Sequence, residues 1–194
     1  MYHFKILYKV DPLKWNNDLL KNEYSTFFQT SHHLKKSGDT YPIFINVYVE
    51  NKTVVAQLGL KIVNTAEFYA GPILLNFLKL IKNITRKAIW IDGPIIHLHD
   101  LKQRDEVFQC IMQALESVLK SNKVVFLYGY SPPRDSLFDQ NFLKYFRKNK
   151  YQIVDYVTFL TDLSLNINDI WKKLHLSATR DIRRAKKDQF LLKN

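Results

Sequence analysis

Arg180, Arg183, Arg184 and Lys187 recur at three- and four-residue steps near the end of the sequence, with Lys186 beside them. On a helix this spacing gathers the cations along one side. Such a stripe can hold the phosphates of RNA or a nucleotide diphosphate. The same pattern also suits a solvated amphipathic helix that packs through Ile182 and Ala185. Asp92 and Asp135 are carboxylates near turns, able to accept a proton, and nothing in the sequence singles out either as a base. His32 and His33 are neighbours and would point apart on a helix, which makes them poor co-ligands. His97 and His99 would share a face if extended, but neither a cysteine nor an acidic pair completes a site. No metal centre is therefore expected. Cys110 lies in a helical pattern without a visible partner, and Gly-x-Ser-x-Gly is absent, so covalent catalysis is not supported. The 5 glycines form neither a P-loop nor a dinucleotide pattern.

The elements that must position these groups are legible from periodicity. Asp11-Pro12 can cap and open a short helix carrying Trp15 and Leu19 on one side. A second helical piece is expected over 30–36. Residues 43–49 alternate, with Ile43, Ile45, Val47 and Val49 against Phe44 and Tyr48, and residues 53–63 return as a second strand across a turn at Asn51-Lys52. A further short strand is expected at 66–70. Ala88-Ile89-Trp90-Ile91 reads as a strand ending at Asp92-Gly93-Pro94. The clearest helix is 101–121, through Val107, Ile111, Ala114, Leu115, Val118 and Leu119. Residues 123–130 read as a buried strand, since Val124-Val125-Phe126-Leu127 is uninterrupted apolar. A helix at 137–149 places Phe138, Phe142, Tyr145 and Phe146 on one face. Residues 151–163 read as a strand, 167–174 as a short helix and 177–187 as the basic helix. This is an α/β layout with a mixed sheet flanked by helices.

Composition bounds the classes. The 194 residues are 46% hydrophobic, with 13 Phe and 11 Tyr, which argues for a packed core and against disorder. The formal charge of +11 attracts polyanions: nucleic acid, a phosphorylated carrier or an anionic membrane face, the last allowing peripheral membrane contact. A general bias toward Lys codons would also explain it. The opening Met1-Tyr2-His3-Phe4 is too mixed for a secretory signal. The most apolar stretch, 73–81, is interrupted by Asn76 and Lys79 and is too short to span a membrane. One cysteine fits a reducing compartment. A cytoplasmic location is expected.

Trp15, then Phe27-Phe28-Gln29-Thr30 with Leu34 and Gly38, resembles the opening signature of Fem-type (FemABX) aminoacyl transferases. Gly71-Pro72 and Asp92-Gly93-Pro94 resemble the glycine-proline pair of the same domain. Thr158-Phe159-Leu160-Thr161-Asp162-Leu163-Ser164, Ile170-Trp171-Lys172-Lys173-Leu174 and Arg180 to Lys187 are similar to the segment that joins the family's two halves. The resemblance implies a GNAT-like (acyl-CoA N-acyltransferase-like) fold, with 1–155 as the first of two tandem domains and 156–194 as the start of a second. It implies transfer of an amino acid from charged tRNA to the amine of a peptidoglycan precursor peptide, in cell-wall biosynthesis. Aminoacyl-tRNA would be a co-substrate, with no cofactor.

In the family a lysine shortly after the glutamine binds a precursor phosphate, and Lys35, with Lys36 adjacent, falls at that place. A diphosphate in a cleft needs a fixed cation; two solvated surface lysines are the plainer alternative. The basic helix, Arg180, Arg183, Arg184, Lys186 and Lys187, would by the same resemblance contact tRNA or precursor. GNAT proteins hold a CoA pyrophosphate on a Gly-rich turn at a helix N-terminus, and no such turn stands here. The family's Gly after the basic helix is replaced by Asp188-Gln189-Phe190. The family places further substrate-binding residues in a second domain, so the resemblance implies an incomplete N-terminal part, inactive alone, with an apolar face exposed where that domain would dock. Two other readings stay open: another GNAT-like N-acyltransferase using acyl-CoA, and a non-catalytic basic module that binds RNA or a phosphorylated ligand.

Overall fold

A computed structural model describes residues 1–35, 40–50, 53–64, 86–133, 135–154, 166–174 and 176–187. The chain divides into two compact units, Met1–Val154 and Asp155–Asn194. Among the described residues the first unit is built on a six-stranded mixed sheet: β1 (Tyr2–Leu7), β2 (Tyr41–Val49), β3 (Thr53–Asn64), β4 (Arg86–Trp90), β5 (Ile95–Ile96) and β6 (Val124–Gly129). The described strands run in the order β1-β2-β3-β4-β6, with β5 paired to β3. All neighbours are antiparallel except β4 and β6, which are parallel. A parallel pair requires a crossover, and α2 (Leu101–Ser121) lies within it. The mixed sheet flanked by helices expected from the sequence is thus present.

Each face of the sheet has its own cover. Ile43, Ile45, Val47, Leu58, Leu60 and Ile62 form one core with Val107, Phe108, Ile111, Ala114, Leu115 and Val118 of α2. On the opposite face Phe44 meets Trp15 and Leu19 of α1 (Pro12–Leu19), together with Leu34 and Ile95. Asp11 caps α1, its carboxylate accepting from the Leu13 N–H at 2.9 Å. Phe142 of α3 (Ser136–Lys148) stacks on Phe108, with centroids 3.8 Å apart. Cys110 is buried within α2, and burial pushes its thiol up. No described helix is long and apolar enough to cross a membrane.

Several expectations differ from what is observed. β1 was not anticipated: Tyr2, Phe4 and Ile6 pack on the core, while His3 stacks on Tyr48 at 5.4 Å on the other face. In place of a helix over 30–36 there is a short 3-10 turn, Phe27–Gln29, followed by further turns. Thr30 breaks it with ψ 149, its hydroxyl donating back to the Phe27 carbonyl at 2.7 Å. β6 is not a buried strand: Val125 and Phe126 are each 55% exposed, because β6 ends the described strand order. Of the strand expected over 151–163, residues 151–154 carry none and 155–163 lie outside the described residues. The turn at 51–52, the expected strand at 66–70, Gly71-Pro72 and the motif at 158–164 lie outside the described residues.

In the second unit, α4 (Ile167–Lys173) is capped by Asn166, whose side chain accepts from the Asp169 N–H at 3.0 Å. α5 (Leu176–Lys187) carries the basic stripe.

Candidate active site around Asp92

The loop 91–94 follows the C-terminal end of β4, where parallel strands commonly present ligands. It is held from three directions. The Gln29 side chain donates to the carbonyls of Ile91 at 2.6 Å and Gly59 at 3.2 Å. Its carbonyl accepts from the Gly59 N–H at 2.8 Å. The Gln29 backbone carbonyl in turn accepts from the Trp15 indole at 2.8 Å. Gln29 is fully buried, so these bonds substitute for water that cannot reach it. From the β6 side, Gly93 N–H donates to the Tyr130 carbonyl at 3.0 Å, and Tyr130 N–H to the Trp90 carbonyl at 3.3 Å. The Trp90 indole also donates to the Gly93 carbonyl at 3.0 Å.

Glycine is needed where this knot is tightest. A Cβ on Gly59 would sit 2.0 Å from Leu34 Cδ1, and one on Gly129 would sit 1.9 Å from the Trp90 ring. Asp92 has φ 52 and is followed by a cis Gly93-Pro94 bond. Aspartate tolerates this left-handed backbone better than most residues, and the knot at Gln29 holds it there.

Asp92 itself is half-buried. Burial raises the Asp92 carboxyl above its usual range, and hydrogen bonding from Thr26 draws it partly back. The buried Thr26 hydroxyl has no partner at ordinary hydrogen-bond geometry. Burial also lowers Lys61, on β3 two residues beyond Gly59. His33 meets the rings of Phe27 and Phe28 edge-on at 5.3 and 5.1 Å. Its imidazole is lowered by burial first and by Lys61 second. Of these groups, the Asp92 carboxyl is the one on the loop itself, and a carboxyl raised by burial is suited to accept a proton.

Asp135 has a different role. Its carboxylate receives the Arg104 guanidinium at 2.5 Å, with side chains 2% and 1% exposed respectively. Arg104 also donates to the carbonyls of Ile96 at 3.3 Å and Leu98 at 2.8 Å. This pair fastens α2 to the β5 strand and the loop that follows it, which leaves Asp135 engaged as a structural group.

The sequence candidates fall in several places. Lys35 is exposed, directly after Leu34, which packs on Gly59, and its N–H donates to the His32 carbonyl at 3.3 Å. Lys36 lies outside the described residues. Arg180, Arg183 and Arg184 are exposed on α5, in the second unit. Lys186 and Lys187 continue that helix. Ile182, through which the solvated-helix alternative would pack, is 36% exposed. Among the described residues no cluster of three His, Cys, Asp or Glu side chains could hold a metal. His97 is largely buried, with neither ring nitrogen hydrogen-bonded, and burial lowers it to about 4.

Sequence reasoning did not single out Thr26, Lys61 or Arg104. A signal for Arg104 existed: it lies three residues before Val107 on the apolar stripe of α2, where a charge must find a partner. For Lys61 the signal was its place between Leu60 and Ile62, which turns it to the α1 face.

Neither the family models nor the curated proteins compared with this sequence give a match. Among solved structures, the chain is similar to a ribosomal-protein-alanine N-acetyltransferase from Brucella melitensis biovar Abortus 2308. The two are 10% identical with a TM-score of 0.49, over 84% of this chain and 100% of that one.

Proposed function

We propose that this chain is a GNAT-like acyltransferase of the Fem type, in which 1–155 forms one domain and 156–194 opens a second. In this reading it works on cytoplasmic substrates, charged tRNA and a phosphorylated cell-wall precursor. The observation that carries the reading is the knot at Gln29. Trp15, the Phe27-Phe28-Gln29-Thr30 turn, Leu34 and Asp92-Gly93-Pro94 are distant in sequence and are the residues on which the resemblance rests. Hydrogen bonds and packing join them around one loop.

Asp92 is the proposed base. The precursor amine attacks the ester carbonyl carbon of the aminoacyl-tRNA. A C–N bond forms, the ester C–O bond breaks, and the electron pair leaves with the ribose oxygen. Asp92 takes the proton the amine loses and returns it to that oxygen. A carboxyl raised by burial is better matched to this exchange near neutral pH than an ordinary one. Lys35, with Lys36, is assigned to the precursor phosphate. The cations of α5, Arg180, Arg183, Arg184, Lys186 and Lys187, are assigned to RNA.

Calorimetric titration tests the assignment. A diphosphate-linked precursor peptide is expected to bind, and Lys35→Glu to weaken it about tenfold, as loss of one charge-assisted contact would. Binding of acetyl-CoA without binding of the precursor would favour an acyl-CoA-dependent transferase instead.

A further inference from the structure

β6, last in the described strand order, presents an unusual surface. Phe126 is 55% exposed, Tyr128 52% and Tyr130 41%. They alternate along the chain, so all three project from one side, while Leu127 between them packs on the core. The pairing places Lys87 opposite Phe126 and Ile89 opposite Tyr128. One strand further in, Lys61 pairs with Ile89. Two cations therefore stand beside a ladder of rings on the same face, and the net charge of +11 reinforces them. β6 itself carries no charged residue.

Exposed rings cost solvation, and a core-forming strand would have buried them. Rings spaced two residues apart offer flat surfaces for successive bases, and neighbouring lysines meet the phosphates between them. Duplex bases are already stacked and cannot use such rings. A single strand can. The positive charge complements a nucleic acid and opposes a basic or purely apolar partner.

We propose that this face of β6 binds single-stranded RNA by stacking bases on Phe126 and Tyr128, with Lys87 and Lys61 on the phosphates. The site lies wholly in the first unit, and it does not depend on the transferase reading: a non-catalytic protein could carry it.

The test is fluorescence anisotropy of the full chain with a labelled ten-nucleotide single-stranded RNA, and with the same sequence as a duplex. Phe126→Ala with Tyr128→Ala should weaken the single strand by about tenfold per ring and leave the duplex nearly unchanged. Tyr128→Phe keeps the ring and should bind as the parent does, which separates stacking from folding. Lys87→Ala should reduce the salt slope by about 0.7, the contribution of one phosphate on a single strand. Unchanged affinity of the double alanine variant would overturn the proposal. So would an equal loss for single strand and duplex. A chain that self-associates through these rings, becoming monomeric in the variant with RNA binding intact, would assign the face to a second copy and overturn it as well.

Discussion

Asp92 and Asp135 begin alike. Each is an aspartate in the loop after one of two parallel strands, β4 and β6. Asp135 is sealed with Arg104, and the pair fixes α2 in place. Asp92 is half-buried on a left-handed backbone, and its carboxyl is raised by lost water. Similar loops have produced a rivet and a titratable group. The difference comes from elsewhere in the chain: a guanidinium on the apolar stripe of α2 for one, a glutamine knot for the other.

The comparison is broken most forcefully at Arg104. Arg104→Ala takes the guanidinium away from a buried carboxylate and should destabilise the first unit by about 4 kcal/mol in urea unfolding. Replacing both partners by Met and Leu should restore much of that. If the single variant costs under about 1 kcal/mol, Asp135 is not a rivet and the contrast with Asp92 fails.

Gln29→Ala should cost about 3 kcal/mol, because Gly59 and Ile91 backbone groups would be buried without partners. Thermal unfolding would show it, and the loss should come with lost precursor binding, since the Asp92 loop would no longer be held.

Acidity separates the buried groups further. His97 is lowered from 6.5 to about 4. Its unfolded form binds the proton more tightly, so its contribution is complete above 6.5 and is lost as pH falls toward about 4. The full swing is roughly 3 kcal/mol, and His97→Gln should flatten it. Asp92 acts in the opposite sense. Its folded carboxyl is raised above 3.8, so the folded state loses stability as pH rises through 3.8 to the folded value. Asp92→Asn should therefore gain stability relative to the parent over that rise, read by unfolding at each pH.

The smallest effect on stability is expected at α5. Arg183→Glu with Arg184→Glu changes exposed side chains and should alter unfolding by less than about 0.5 kcal/mol. It should weaken tRNA binding and flatten its salt dependence. Unchanged affinity at low salt would remove the basic helix from the account.

Elements with a strong period were legible in the sequence: the 101–121 helix, the hairpin and the helix at Asp11-Pro12. β1 is not legible because its residues are only partly buried and Tyr2-His3-Phe4-Lys5-Ile6 mixes polar and apolar groups. Apolar content was misleading for β6, since Val124-Val125-Phe126-Leu127 says nothing of how many neighbours a strand will have. The site was legible only in part. Gln29 stood out as a motif residue, but hydrogen bonds to Gly59 and Ile91 are tertiary facts. The distinction between Asp92 and Asp135 depended on burial and a distant arginine, neither of which local spacing records.

Whether Asp92 marks the reacting centre is decided by carbon NMR of aspartate carboxyls, titrated with and without a diphosphate-linked precursor peptide. The account predicts an Asp92 midpoint above the usual carboxylate range that moves when the precursor is added. An ordinary midpoint, indifferent to the precursor, would contradict it.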